Sequence, residues 1–321
     1  MAGYRGKQSV PGDNLWEIVS ATGGTITNSG GYTIHTFTTS GNFQITAARP
    51  KNSLANMVAG KPNYAGAEVL IDGLLVAGGG AGGGSSINSG GGGGAGGEVI
   101  DFQDKRIQLR FDAMPVVVGE GGVAQALNAS ATAQRGGYSS FYTWVARGGG
   151  GGIRANISTG SMGRLSTGGN TGGDEGGSGS GPHQVYTLPA DIQTIGATSY
   201  TGGSNTSGAA GGGAGAGANG NNGTATNGGA GGAGVASSIS GTSVTYGGGG
   251  GGGEDTGDSG GGGAGGAGGG GRGSIDGSVA CDAVSGTDGL GGGGGGAGED
   301  NNSGTPGDGG DGVVIIRYKT V

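Results

Sequence analysis

The sequence predicts an all-β N-terminal module followed by a polyglycine II helix sandwich framed by β-strands, with essentially no α-helix. Three observations carry that expectation. Glycine accounts for 95 of the 321 residues, roughly four times the usual share of about 7%. Its placement is uneven: 11 glycines precede residue 78, 84 lie in 78–312, and none follows. A glycine-free apolar segment, Val313-Val314-Ile315-Ile316-Arg317-Tyr318, closes the chain.

The N-terminal module, residues 1–66, reads as short strands. Leu15, Glu17 and Val19 alternate with Trp16 and Ile18. Gly23-Gly24 and Ser29-Gly30-Gly31 turn the chain on either side of Thr25-Ile26-Thr27. Tyr32 to Thr38 alternates strictly, Ser40-Gly41-Asn42 turns, and Phe43-Gln44-Ile45-Thr46 returns. β-Branched and aromatic residues bounded by Gly and Ser are the strand signature. Residues 47–66 are a polar connection carrying Pro50 and Pro62, with room for one helical turn near Ser53–Val58.

The second unit, residues 67–321, opens on a strong strand, Glu68 to Ala77, that runs straight into Gly78–Gly84. Further strand-like pieces are expected at 98–102, 106–111, 115–118, 141–146, 184–188 and 243–246. Glycine tracts fill the spaces between them. Collagen is excluded, because Gly247–Gly253 breaks a Gly-X-Y register and proline totals only 7. Silk-like stacking wants sustained Gly-Ala alternation, which only Gly213–Ala218 shows. A disordered linker fits the composition: Leu, Ile, Val and Phe make up about 15% of the chain, below the ~20% at which disorder is suspected. The strand pieces and the closing strand argue against it.

What remains is an array of extended glycine helices. A three-residue helix rises about 3.1 Å per residue and makes no internal hydrogen bonds. Its N–H and C=O groups point outward in three directions, so neighbouring helices must satisfy them. Ordering a residue costs roughly 1–2 kcal/mol, and a hydrogen bond returns roughly 0.5–1.5 kcal/mol. The balance is near neutral, and apolar strands at the tract ends tip it. Long α-helices are excluded, since glycine costs about 1 kcal/mol per residue in a helix interior.

The formal charge is −7, from 15 Lys+Arg and 22 Asp+Glu. Nucleic-acid binding needs clustered basic residues and is not expected. Cys281 is the only cysteine, so no intrachain disulfide and no cysteine zinc site are expected. No stretch approaches the ~18 apolar residues of a membrane span. The N-terminus lacks the apolar run of a signal peptide, so synthesis in the cytosol is expected.

Several segments carry a resemblance. Ala21-Thr22-Gly23-Gly24-Thr25, followed by Gly30-Gly31-Tyr32-Thr33-Ile34-His35-Thr36-Phe37-Thr38-Thr39-Ser40-Gly41-Asn42-Phe43, is similar to the strand module of glycine-rich phage tail and virion fibre proteins. Leu74-Leu75-Val76-Ala77-Gly78-Gly79-Gly80 resembles the family's "LVVAGGG" stretch. Val117–Gly122, Gly137–Phe141, Ser243–Tyr246 and Gly309–Tyr318 are further family-like pieces, in order. Residues 47–66 and the glycine-poor excursion at 182–200 depart from the pattern.

The resemblance implies a virion appendage protein: a tail fibre or fibre-tip adhesin, of the polyglycine-helix sandwich type. It implies assembly in the host cytoplasm, release by lysis and residence in the virion. The N-terminal module would join other virion or tail proteins, and loops would contact a host surface glycan or outer-membrane protein. A homotrimer is one assembly such fibres adopt. The competing reading is a purely structural fibre or capsid-decoration subunit without receptor binding.

Catalysis is not expected. His35 sits in a strand as a packing residue, and His183 follows Pro182 in a loop. No Ser-His-Asp order or paired-carboxylate motif stands out. GxGxxG matches are uninformative in a chain this rich in glycine. The acidic turns Asp308-Gly309-Gly310-Asp311 and Glu254-Asp255-Thr256-Gly257-Asp258 match neither the EF-hand nor the calcium-binding glycine repeat. No metal and no cofactor are expected. Receptor contact falls to aromatic side chains in polar loops, whose flat faces bind at low entropic cost. The candidates are Tyr138, Tyr142, Trp144, Tyr186 and Tyr200. The plainer alternative, strongest for Trp144, is that they pack as the small core that caps the glycine array.

Overall fold

The structure, a computed structural model, describes residues 15–51, 66–85, 90–124, 133–153, 200–205, 208–254, 260–275, 282–298 and 305–321. Among them there is no helix. Alternating β-branched and aromatic residues form β1 (Leu15–Thr22), β2 (Thr25–Ser29), β3 (Tyr32–Phe37) and β4 (Gly41–Pro50). The chain continues through β5 (Glu68–Val76), β6 (Val99–Gln108), β7 (Met114–Val117), β8 (Ser139–Phe141) and β9 (Trp144–Ala146). Two short strands, β10 (Val235–Ser237) and β11 (Val244–Tyr246), precede the closing β12 (Val313–Lys319).

Ten of these strands make one sheet, in the order β2-β3-β12-β5-β1-β4-β7-β8-β9, with β6 also on β5. β10 and β11 make a separate two-stranded sheet. The large sheet spans the 66/67 boundary expected from the sequence. β12 pairs β3 on one side and β5 on the other, both antiparallel, and β1 pairs β5 in parallel. Trp16, Ile18, Phe43 and Ile45 of the N-terminal strands share one buried cluster with Leu75, Phe102, Phe141, Trp144 and Ile316. The other face buries Ile34, Leu74, Val76, Val99 and Ile315 against Ile239 and Tyr246 of the β10–β11 hairpin. Both faces are covered, which is why Ile34 and His35, adjacent in β3, are both buried.

Three strand expectations change. The pieces at 98–102 and 106–111 are one strand, β6, joined through a register shift against β5. Asp104 sits there at φ 50, its N–H donating to Asp72 Oδ1 at 2.8 Å. The piece at 141–146 is a hairpin, because Tyr142 at φ 56 turns the chain between Phe141 and Trp144. β10 carries no sequence signal longer than Val235-Ala236-Ser237. The piece at 184–188 lies outside the described residues.

Beyond the strands the interior glycine tracts are buried, and their backbones bond to several neighbours in turn. In 78–83 the donors change partner with a period of three. Gly78 and Ala81 donate to Gly137 and Gln134, Gly79 and Gly82 to Gly310 and Gly307, and Gly80 and Gly83 to Ala95 and Gly92, at 2.8–3.1 Å. The carbonyls of the same tract accept from Gly122, from Gly149 and Gly152, and from Gly294 and Ala297. Tract 248–253 repeats the rule: its donors serve Gly268 and Gly271, Gly232 and Gly229, and Gly94 and Gly91. A strand bonds to two neighbours by alternating its groups; these tracts are enclosed on every side.

The strands set the register of the tracts. Val76 faces Val99 across β5 and β6; four residues on, Gly80 donates to Ala95, and three further, Gly83 to Gly92. Val76 also faces Val313, and the same pairing continues as Gly79 to Gly310 and Gly82 to Gly307. β10 and β11 extend in the same way into Gly249 to Gly232 and Gly252 to Gly229.

Glycine is required here by proximity. A methyl group on Gly79 would fall on the Gly292 carbonyl, one on Gly94 on the Gly80 carbonyl, and one on Gly250 on the Gly294 carbonyl. The close approach leaves tracts 77–83, 91–97, 247–254 and 291–298 buried although they are almost devoid of side chains. They form a core of backbone, with the near-complete pairing that buried peptide groups demand.

Candidate functional site

Of the aromatic candidates, Tyr142 and Trp144 lie on the β8–β9 hairpin. Its two-residue turn is Tyr142-Thr143. The first position of such a turn often takes φ > 0, which favours glycine because it has no Cβ. A tyrosine at φ 56 is therefore a strained choice. Its ring is exposed and lies 5.7 Å from that of Trp144. Trp144 itself is 5% exposed and stacks at 4.1 Å on Phe102. Its ring packs in the core and supports the hairpin from beneath, the plainer of its two sequence readings.

Among the described residues eight large apolar side chains are exposed; of these Val145 (45%) and Tyr142 (42%) lie on this hairpin, Tyr138 (54%) immediately precedes it and Val123 (55%) lies in the tract 119–124. Ser139, Phe141, Trp144 and Ala146 point into the core, and Tyr138 and Val145 point out. The tract 119–124 lies beside 133–138 through the bond from Gly137 N–H to the Glu120 carbonyl. Tyr200 is half-buried at the start of another tract and makes no ring contact with a described residue. Tyr186 lies outside the described residues. The structure thus brings together Tyr142 and Trp144 and leaves Val145 exposed on the same hairpin. Val145 is legible as an outward position from its place between Trp144 and Ala146; Val123 carries no sequence signal.

The buried polar groups are structural in geometry. His35 Nδ1 donates to the Gly23 carbonyl at 2.8 Å, so Nε2, 3.5 Å from the Tyr318 hydroxyl, is the acceptor in the neutral ring. The Phe43 ring meets it edge-on at 5.0 Å. Burial lowers the His35 pKa, against the raising effect of the Gly23 carbonyl. Arg317 Nε reaches Asp72 Oδ2 at 2.9 Å, and its guanidinium lies 4.2 Å from the centre of the Tyr32 ring. Ser237 donates to Asp101 Oδ2 at 2.6 Å, pinning the β10–β11 hairpin to the sheet. Burial raises the Asp101 pKa; Ser237 and Arg317 act against it.

The acidic turns are engaged by backbone. Asp308 Oδ1 accepts from Ala124 N–H at 2.5 Å and Asp311 Oδ1 from Gly121 N–H at 2.7 Å. Among the described residues no three His, Cys, Asp or Glu side chains converge as a metal site, and no helix is long and apolar enough to cross a membrane. Asp255, Asp258, His183 and Cys281 lie outside the described residues.

No curated protein matches the chain. The family model of the glycine-rich domain matches residues 58–319, a span that takes in β5 to β12 and every glycine tract described above. The chain belongs to the glycine-rich domain family.

Proposed function

We propose that this protein is a phage virion appendage subunit, a tail fibre or fibre-tip adhesin, in which the glycine tracts form a polyglycine II sandwich that presents contact surfaces to the host cell. The period of three in the tract hydrogen bonds supports the sandwich, since a helix with three residues per turn aims its groups in three directions. The ordered family-like segments support the virion setting, and the N-terminal strands β1–β4 offer the attachment side. The observation that carries the adhesin reading is the exposure of Tyr142 and Val145 on the β8–β9 hairpin and of Tyr138 immediately before it, with Tyr142 held at φ 56. Exposed tyrosines beside aliphatic groups suit a glycan ring or an outer-membrane protein loop.

The test is binding of the purified protein to cells that the phage infects, with competition against phage adsorption. Wild type should bind and compete. Tyr138→Ala with Tyr142→Gly should lose binding by at least about tenfold, the effect of losing roughly 1.4 kcal/mol of contact, while keeping its thermal midpoint. A protein that is found in virions and neither binds cells nor competes is the structural fibre or decoration subunit instead.

A further inference from the structure

An array that bonds its tracts through backbone has a weakness at its rim. Interior N–H groups are taken by the carbonyls of the next tract. At the rim no next tract follows among the described residues, and an outward row of donors is a template for another chain, as the edge of a β-sheet is. Two rims of this molecule are treated in the same way.

On the first, side chains three residues apart stand in for the missing tract. Asp282 Oδ1, Ser285 Oγ and Asp288 Oδ1 accept from the N–H groups of Thr305, Asp308 and Asp311, at 3.3, 3.1 and 3.0 Å. Asp308 and Asp311 pass the pattern on to Ala124 and Gly121. A groove runs between 121–123, 285–288 and 308–311, where a further tract would lie. On the second rim, Asn219 Oδ1 and Asn222 Oδ1 accept from Thr201 and Ser204 N–H, each at 2.9 Å. Carboxylate, hydroxyl and amide all serve, always every third residue. What they share is an oxygen acceptor at the pitch of the tract, not a charge.

We propose that these side-chain ladders are edge guards: they occupy the outward donors of the rim tracts and so prevent the glycine array of a second copy from adding to this one. The excluded partner is a glycine tract of the same chain. Such an addition is heterologous and need not close on itself, so an unguarded rim would lead to open-ended association.

The test uses the full chain in three forms: wild type, Asp282→Ala/Ser285→Ala/Asp288→Ala, and Asp282→Asn/Asp288→Asn, which keeps the oxygen and removes the charge. Sedimentation velocity over a concentration series is combined with hydrogen exchange. In the alanine form the amides of Thr305, Asp308 and Asp311 should exchange roughly two- to tenfold faster at low concentration. Its weight-average mass should rise about twofold or more above wild type at high concentration. The asparagine form should match wild type in both. The proposal is overturned if the alanine form keeps the wild-type mass throughout, or if the asparagine form associates as strongly as the alanine form. Ser285→Ala alone and Asn219→Ala/Asn222→Ala, milder changes on the two rims, are read by the same criteria should the triple variant not fold.

Discussion

At the scale of single residues, Arg317 is the side chain with most depending on it. It pairs with Asp72 at 2.9 Å, reaches the carbonyls of Ser238 and Ile239, and lies near Asp101. Arg317→Ala would take the guanidinium from Asp72, which is buried, leaving it the Asp104 N–H. Breaking a buried pair in this way costs about 3–5 kcal/mol, and the urea midpoint should fall accordingly; a loss below about 1 kcal/mol would mean that water reaches Asp72 freely. His35 predicts a pH effect. Its folded-state pKa lies below the unfolded value of about 6.5. Between the two the unfolded chain binds more protons, so stability falls as pH drops through about 6.5 and levels off below the folded-state value. In His35→Gln the thermal midpoint should lose that part of its pH dependence between roughly pH 7.5 and pH 5.5. Both residues were visible in the sequence as strand positions. Their partners were not, because Gly23 reaches His35 across a turn and Asp72 reaches Arg317 across most of the chain.

At the scale of elements, a strand and the glycine tract that continues it are one unit with two bonding habits. β5 alternates its groups between neighbours, and 78–83 rotates them among several, yet the register of Val76 against Val99 and Val313 passes into both pairs of tracts without a slip. The apolar strands therefore decide which glycine faces which. Position then governs the cost of a methyl group. Gly79→Ala would place one on the Gly292 carbonyl in the interior, whereas on Gly261 it meets only Asn227 Oδ1 at 3.6 Å. Gly79→Ala should cost about 3 kcal/mol or more, and Gly261→Ala should stay within about 0.5 kcal/mol of wild type. Chemical denaturation of the two variants measures the difference, and equal effects would disprove close packing of the tracts. Sequence showed the tracts and the strand at each end. It did not show that β6 is continuous through Asp104, or that Tyr142 turns the chain, since both depend on a non-glycine residue at positive φ.

At the scale of the whole molecule, a side-chain core in the strands sits beside a backbone core in the tracts. Hydrogen exchange should find them equally protected: the amides of 78–83, 91–97, 248–253 and 293–297 should exchange as slowly as those of β5 and β12. Fast exchange in the tracts would return the body to a disordered linker. Composition and placement were enough to indicate an all-β chain, as found among the described residues, and glycines held in a bounded body closed by an apolar strand. They did so because the supply of apolar side chains and the conformational limits of glycine are local properties. Even the rim acceptors stand in the sequence, at 282, 285 and 288 and again at 308 and 311. Only the tertiary structure decided which tract borders which, and hence whether each third residue is buried glycine, guarded rim or exposed tyrosine. Glycine carries no side chain by which one tract could specify another. The pairing is imposed from the strands, and strand order is a long-range choice made by the packing of both faces of the sheet.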